Sequence, residues 1–346
     1  MSANSEIKIT APKSRWKRLL QNLALSCAVF FLCAAAFEIA LRFCGYGNLE
    51  IYQPDPKLYW KLKPDQDCYT KIGHNPIHIN SQGTRGPEFQ TKKPAGTIRI
   101  LSLGDSRTFG WGLTDEETYS RRLERLLQAH VGGGKQVEVI NAGVDAWSYP
   151  QMLVYFRDIG LKYQPDFVVL GEANLWTQFS EKNSPEFVRQ FMWRVRLKNF
   201  LRHFAIFHFV VEVQLQKFYQ QERTKFIPVD PKQDALFKEQ QQSDPGAVFR
   251  EAIEGMCRVA QTNHIQPILV YFPDFKEFST TNRTDIFEVK RTAAEKFGIP
   301  LVDLFANLKP SGNKLYLEAD PVHLNPQGNE MVAERLFEIF TNRLAK

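Results

Sequence analysis

Cysteine is scarce in this chain, and no Cys or His has the spacing of a metal site. There are five cysteines in 346 residues, and three of them (Cys27, Cys33 and Cys44) lie in or beside one apolar run. No metal is therefore expected. Cys68 and Cys257 fall outside that run. They form one disulfide or stand as two isolated thiols, because two cysteines far apart in sequence fix no distance between them. A basic footprint is also missing. The net charge is +6, but Lys8, Lys13, Arg15, Lys17 and Arg18 against Glu6 put +4 of it in the first 18 residues. The +2 left for the rest of the chain excludes a concentrated nucleic-acid-binding surface. No small-x-small cleavage site follows the apolar run, and no lipobox precedes its cysteines, which argues against a removed leader.

The run itself is the first positive feature. From Leu19 to Ile39 the chain is dominated by Leu, Ala, Phe, Val and Cys, with Gln21, Asn22 and Glu38 the strongly polar exceptions. About 20 apolar residues in a helix cross the hydrocarbon core of a bilayer. A transmembrane anchor is expected over 19–43, preceded by a basic tail, 1–18. Basic residues before a span hold that end in the cytoplasm. The remainder is then periplasmic or extracellular, in a single-pass membrane protein. Glu38 and Arg42, four residues apart, can pair on one helix face at its exit.

Residues 44–95 are rich in Pro, Gly, Asn and Asp and read as a linker of irregular chain or short strands. His74 and His78 flank Asn75-Pro76 there and read as loop residues. From residue 96 to 346 the pattern becomes regular. Strands are expected at 98–103, 137–140, 167–170, 267–271 and 300–303, with helices at 116–130, 151–162, 247–262, 285–297 and 326–344. Strands alternating with helices at this spacing indicate an α/β fold with a parallel five-stranded sheet covered on both faces. An insert at about 177–243 carries Phe187, Phe191, Trp193, Phe200, Phe204, Phe207 and Phe209 between Arg189, Arg194, Arg196, Lys198 and Arg202. Such a segment is a surface for lipid headgroups, a lid, or a pair of helices with aromatics packed inward; the last is the expectation.

Sites in open parallel sheets form beyond the carboxyl ends of the strands. After the first strand comes Gly104-Asp105-Ser106, after the second Asn141-Ala142-Gly143, and after the third Gly171-Glu172-Ala173-Asn174. Asp320-Pro321-Val322-His323 precedes the last helix. Each element alone is weak, but together they supply the parts of an acyl transfer. Ser106 is the nucleophile, His323 its base, and Asp320 the group that fixes the tautomer of the imidazole. The backbone N–H groups of Ser106 and Gly143 and the amide of Asn174 are the candidate oxyanion donors.

Gly104-Asp-Ser106-Arg-Thr-Phe-Gly110, Gly143, Asn174 and Asp320-Pro-Val-His-Leu-Asn-Pro-Gln-Gly328 resemble the SGNH hydrolases, also called GDSL-type esterases. The resemblance runs from about Arg99 to the C-terminus outside the insert. It implies a three-layer α/β/α flavodoxin-like fold, a Ser-His-Asp mechanism, no cofactor, and ester or acetyl-ester substrates. The membrane-anchored arrangement looks like that of bacterial members. One departure stands out: family members commonly carry Asp after the block III asparagine, and Leu175 takes that place here. Glu172 either supports that loop instead or faces solvent. The expected activity is an esterase or deacetylase acting on acylated glycan or lipid outside the cytoplasmic membrane. An O-acyltransferase on cell-surface glycan and a non-catalytic glycan-binding envelope component are the alternatives.

Overall fold

Five apolar strands alternate strictly between two cores. Ile98 and Ile100 of β5 (Thr97–Gly104) face one core, while Leu101 and Leu103 face the other. The same period of two divides β6 (Gln136–Gly143), β7 (Phe167–Leu170) and β8 (Gln266–Tyr271), as expected when both faces of a sheet are covered. β9 (Leu301–Asp303) completes the sheet, whose order is β6-β5-β7-β8-β9 with every pair parallel. A computed structural model describes residues 15–173, 179, 183–224, 245–279, 284–318, 320 and 322–344.

One face is covered by α3 (Tyr119–His130) and α10 (Pro326–Leu344). α4 (Tyr149–Asp158), α7 (Pro245–Thr262) and α8 (Asp285–Phe297) cover the other. The result is the three-layer α/β/α fold. The strand order reverses between β5 and β7, where a doubly wound sheet opens a crevice for ligands. Two short helices complete the set: α2 (Ser106–Phe109) after β5 and α9 (Phe305–Leu308) after β9.

Residues 44–95 form more than a linker. β1 (Tyr52–Asp55) and β2 (Tyr59–Leu62) make one antiparallel hairpin, and β3 (Gln66–Tyr69) with β4 (Pro76–Ile79) makes a second. Tyr52, Leu58, Tyr59, Trp60, Leu62, Ile77 and Ile79 are buried in the same core as α4 and α7. Arg85 bridges Ile79 to Asn141, covering the open edge of β6 near its carboxyl end. His78 lies in β4 rather than a loop, bonded to Asp67 (2.8 Å), and His74 is held by Glu212 (2.7 Å). Cys68 and Cys257 are two separate buried thiols.

α1 (Arg15–Phe43) starts four residues earlier than the apolar run and is long and apolar enough to cross a membrane. Glu38 and Arg42 pair as the spacing predicts, Nη2 to Oε1 at 2.7 Å. Within the insert, α5 (Pro185–Leu201) and α6 (Ala205–Thr224) are helical. Phe191 stacks on Trp60 (5.3 Å between centroids), but Trp193 and Phe200 stay exposed, so the aromatics do not all turn inward.

Candidate active site

The chain leaves β5 through Gly104 and Asp105 straight into α2, with Ser106 as its first residue. Asp105 caps that helix by accepting from the Arg107 N–H (2.9 Å). Gly110 ends it at φ +90°, a left-handed backbone suited to glycine. Burial pushes the Asp105 carboxyl up, against the lowering effect of the Arg107 guanidinium.

The far end of the chain meets this turn. Ser106 Oγ is 2.7 Å from His323 Nε2, and His323 Nδ1 is 2.6 Å from Asp320 Oδ2. Asp320 Oδ1 accepts from the backbone N–H groups of Val322 (2.9 Å) and His323 (3.1 Å). Burial works to raise the Asp320 carboxyl, but the charge and hydrogen bond of His323 and those two N–H groups outweigh it and hold it below its ordinary value. The following residues explain the specificity of that stretch. Asn325 accepts from the Gly328 N–H (3.0 Å) and donates to Lys314 O (2.7 Å), while Asn329 Oδ1 accepts from the Tyr119 N–H (3.1 Å). These bonds tie the His323 loop to α10 and α3.

The oxyanion candidates divide. The Ser106 N–H makes no hydrogen bond among the described residues. The Gly143 N–H is donated to Asn141 Oδ1 (3.0 Å). Its lack of a side chain serves packing instead, since a Cβ there would fall 2.2 Å from the Phe109 nitrogen of α2. Asn174 and Leu175 lie outside the described residues.

Several contacts at the site carry no signal in the sequence. Arg85 is buried and donates to the carbonyls of Phe109 (2.8 Å), Gly110 (2.7 Å) and Leu113 (2.6 Å) and to Asp115 (2.7 Å), clamping the end of α2. Trp111 stacks on the His323 ring (5.2 Å, 18°), with the Lys71 ammonium 4.5 Å from the indole centre. Glu172 does not face solvent: it is buried against Lys290 Nζ (2.7 Å) and Tyr149 OH. Burial pulls the Lys290 ammonium down in pKa, opposed by Glu172. Arg107 donates to Asp274 (2.9 Å). Burial opposes its charge, but Asp105, Asp274 and Glu172 more than compensate, and its pKa rises.

Ser106, Arg107, Gly110, Trp111, Phe272, His323, Leu324 and Asn329 line a narrow cleft with about 200 Å³ of empty space. Arg107 Nε and Trp111 Nε1 are buried without a partner among the described residues. No group of His, Cys, Asp and Glu able to hold a metal ion occurs among the described residues.

A doubly wound sheet with a serine, a histidine and an aspartate joined at its carboxyl edge defines the class of α/β ester hydrolases. The chain belongs to the GDSL-like lipase/acylhydrolase family, whose model matches residues 102–331. Solved structures similar to it include the lipase/acylhydrolase from Enterococcus faecalis, at 16% identity, TM-score 0.43 and coverage of 71% of this chain and 96% of that one. The psychrotrophic esterase EstA from a Pseudoalteromonas species gives 12% identity, TM-score 0.43 and coverage of 72% and 99%. A two-domain esterase active on acetylated mannans gives 14% identity, TM-score 0.45 and coverage of 72% and 50%. No curated protein matches the chain.

Proposed function

We propose that this family member is a membrane-anchored serine esterase that removes a short acyl group from glycan or lipid outside the cytoplasmic membrane. The observation that carries it is the continuous relay from Ser106 Oγ through His323 to Asp320, at 2.7 and 2.6 Å. His323 Nε2 takes the hydroxyl proton as Oγ attacks the ester carbonyl carbon. Asp320 holds the imidazole through Nδ1 and stabilises the imidazolium that forms. The Ser106 N–H is the oxyanion donor that its open hydrogen-bonding capacity supports, with the Asn174 amide as its partner. The tetrahedral adduct collapses, and His323 passes its proton to the leaving alcohol oxygen. Water, deprotonated by the same nitrogen, then attacks the acyl-Ser106 carbonyl; the second adduct breaks the acyl–Oγ bond, His323 returns its proton to Oγ, and the acid leaves.

The cleft supports the preference for a short acyl group. Trp111, Phe272 and Leu324 wall the cleft in beside Ser106, which leaves little room for a long acyl chain. The basic tail and α1 support the orientation, with the tail cytoplasmic and the hydrolase domain on the other side.

The test is hydrolysis of chromogenic acetyl, butyryl and octanoyl esters by the detergent-solubilised chain. Acetyl ester turnover should lead and should vanish in Ser106→Ala. Undiminished turnover by Ser106→Ala sinks the mechanism; an octanoyl preference sinks the short-acyl assignment alone.

A further inference from the structure

Helix α5 buries one face and leaves an apolar stripe on the other. Phe191, Val195 and Asn199 face the first hairpin, where Asn199 Oδ1 accepts from the Tyr52 N–H (3.1 Å). Trp193, Leu197 and Phe200 follow one another at spacings of four and three, which places them on a single helix face. Phe204 extends the stripe into the next turn, its ring edge-on to Phe200 (5.4 Å). These four are 62, 48, 62 and 41% exposed. Arg189, Arg194, Arg196 and Lys198 are exposed on the same helix.

The position of this stripe is set by α1. Both oxygens of Glu38 accept from the first N–H groups of α6, those of Ala205 and Ile206, at 2.9 Å each. Arg42 Nη2 donates to His203 O (2.8 Å), and Phe37 meets Phe209 edge-on (6.1 Å). α6 then runs away from α1's apolar section, because His208 meets Gly47 (3.3 Å) and Glu212 meets His74. The α5–α6 turn is therefore the part of the insert held at the last residues of the apolar run. If α1 spans a bilayer, that turn lies at its boundary.

We propose that α5 and the α5–α6 turn form a second membrane-contacting surface. Trp193, Leu197, Phe200 and Phe204 sit at the headgroup–acyl boundary, and Arg189, Arg194 and Arg196 meet anionic headgroups. Aromatic residues favour that depth, and clustered cations favour anionic lipid. The proposal rests on α1 being a retained anchor, and it fixes the domain close to the bilayer rather than free on a tether.

The experiment uses the full chain in vesicles of phosphatidylcholine with phosphatidylglycerol, both carrying brominated acyl chains that quench tryptophan on contact. Among the described residues Trp60, Trp111 and Trp147 are buried, whereas Trp16 and Trp193 are exposed; Trp176, outside the described residues, is replaced by phenylalanine throughout, so that two exposed indoles carry the signal. Trp193→Phe should lower the quenched emission by about half, since interfacial indoles are the ones lipid reaches. Replacing Arg189, Arg194 and Arg196 together by Gln should weaken the Trp193 component in anionic vesicles and leave it unchanged in phosphatidylcholine alone. Turnover of a soluble acetyl ester reports that each variant is folded. A chain that resists carbonate extraction, yet shows equal quenching with and without Trp193, overturns the surface while keeping the anchor. Release by carbonate with Trp16 unquenched overturns both. Concentration-dependent self-association that shields Trp193 from lipid assigns the stripe to a second copy of the chain and also overturns the proposal.

Discussion

Replacing Gly143 with alanine tests how the nucleophile is positioned. The new Cβ would lie 2.2 Å from Phe109 N, 2.6 Å from Thr108 C and 2.7 Å from Phe109 Cα. All three are backbone atoms of α2, so no side chain can swing aside to relieve the contact. Ordinary contact begins near 3.4 Å, so α2 and β6 must part by about 1.2 Å, and a misplacement of ~1 Å costs on the order of 10²-fold in rate. Ser106 is the first residue of α2, and its bond to His323 leaves little slack at 2.7 Å. Overpacking of a close contact also costs roughly 1–3 kcal/mol of stability. The assay is steady-state hydrolysis of an acetyl ester beside a thermal melt of the same sample. The expected result is a hundredfold fall in kcat with KM little changed, in a chain that still unfolds cooperatively. If Gly143→Ala keeps wild-type kcat, α2 is not positioned by this approach. A fall confined to KM would refute the reasoning as well, because a misaligned nucleophile weakens the transition state and not the ground state.

Arg85→Lys should cost about 3–5 kcal/mol in a urea titration, because three carbonyls and Asp115 lose a fork that one ammonium cannot replace. Glu172→Gln and Lys290→Met should each destabilise by about 3–5 kcal/mol as single changes. Their combination should cost less than the two together, and strict additivity would show that the pair is not coupled. Asp320 has its folded pKa depressed, so its stabilisation is present above its unfolded value and is lost as pH falls through the folded one. Melting curves from pH 7 to pH 2 should therefore show an acid loss in the parent that is smaller in Asp320→Asn, and parallel curves would refute the assignment. Activity of Asp320→Asn at pH 7 should fall by roughly 10⁴, the cost of holding the wrong imidazole tautomer.

What the sequence made legible, and what it hid, follows from the kind of partner each residue has. The strand alternation of Val137 and Val139 against Ile140 and Ala142 is a pattern of side chains facing two cores, and such patterns can be read without coordinates. β6 still runs three residues beyond its apolar stretch, because Asn141–Gly143 pair with Ser102–Gly104 while serving the site. Ser106, Asp320 and His323 could be proposed as a triad because that chemistry demands particular residue types. Arg85 could not: its partners are mainly carbonyl oxygens, which every residue has, and it sits among short hairpin strands that show no long periodicity. Lys290 was hidden differently. It lies in α8 beside Glu288, Arg291 and Glu295, which are solvent charges paired with one another, and nothing local marks it as the one that turns inward.

Gly143 shows where residue-type reasoning reaches its limit. A glycine after the second strand fits two roles equally well, an unobstructed oxyanion donor or a gap into which another backbone packs, and composition cannot separate them. One bond and one distance support the second role. The N–H is already held by Asn141 Oδ1, and the missing Cβ is the space that α2 occupies. Asn141 itself is fixed by accepting from Arg85 N through its carbonyl (3.0 Å) and by donating from its amide to Phe109 O (3.4 Å). The N-terminal hairpins, β6 and the nucleophile helix thus form one hydrogen-bonded unit around Ser106. It follows that residues 44–95 cannot be trimmed as a tether. A chain beginning at residue 96 would expose the edge of β6 and leave the carbonyls of Phe109, Gly110 and Leu113 without their donor, and it should lose acetyl ester turnover even though Ser106, Asp320 and His323 are all retained.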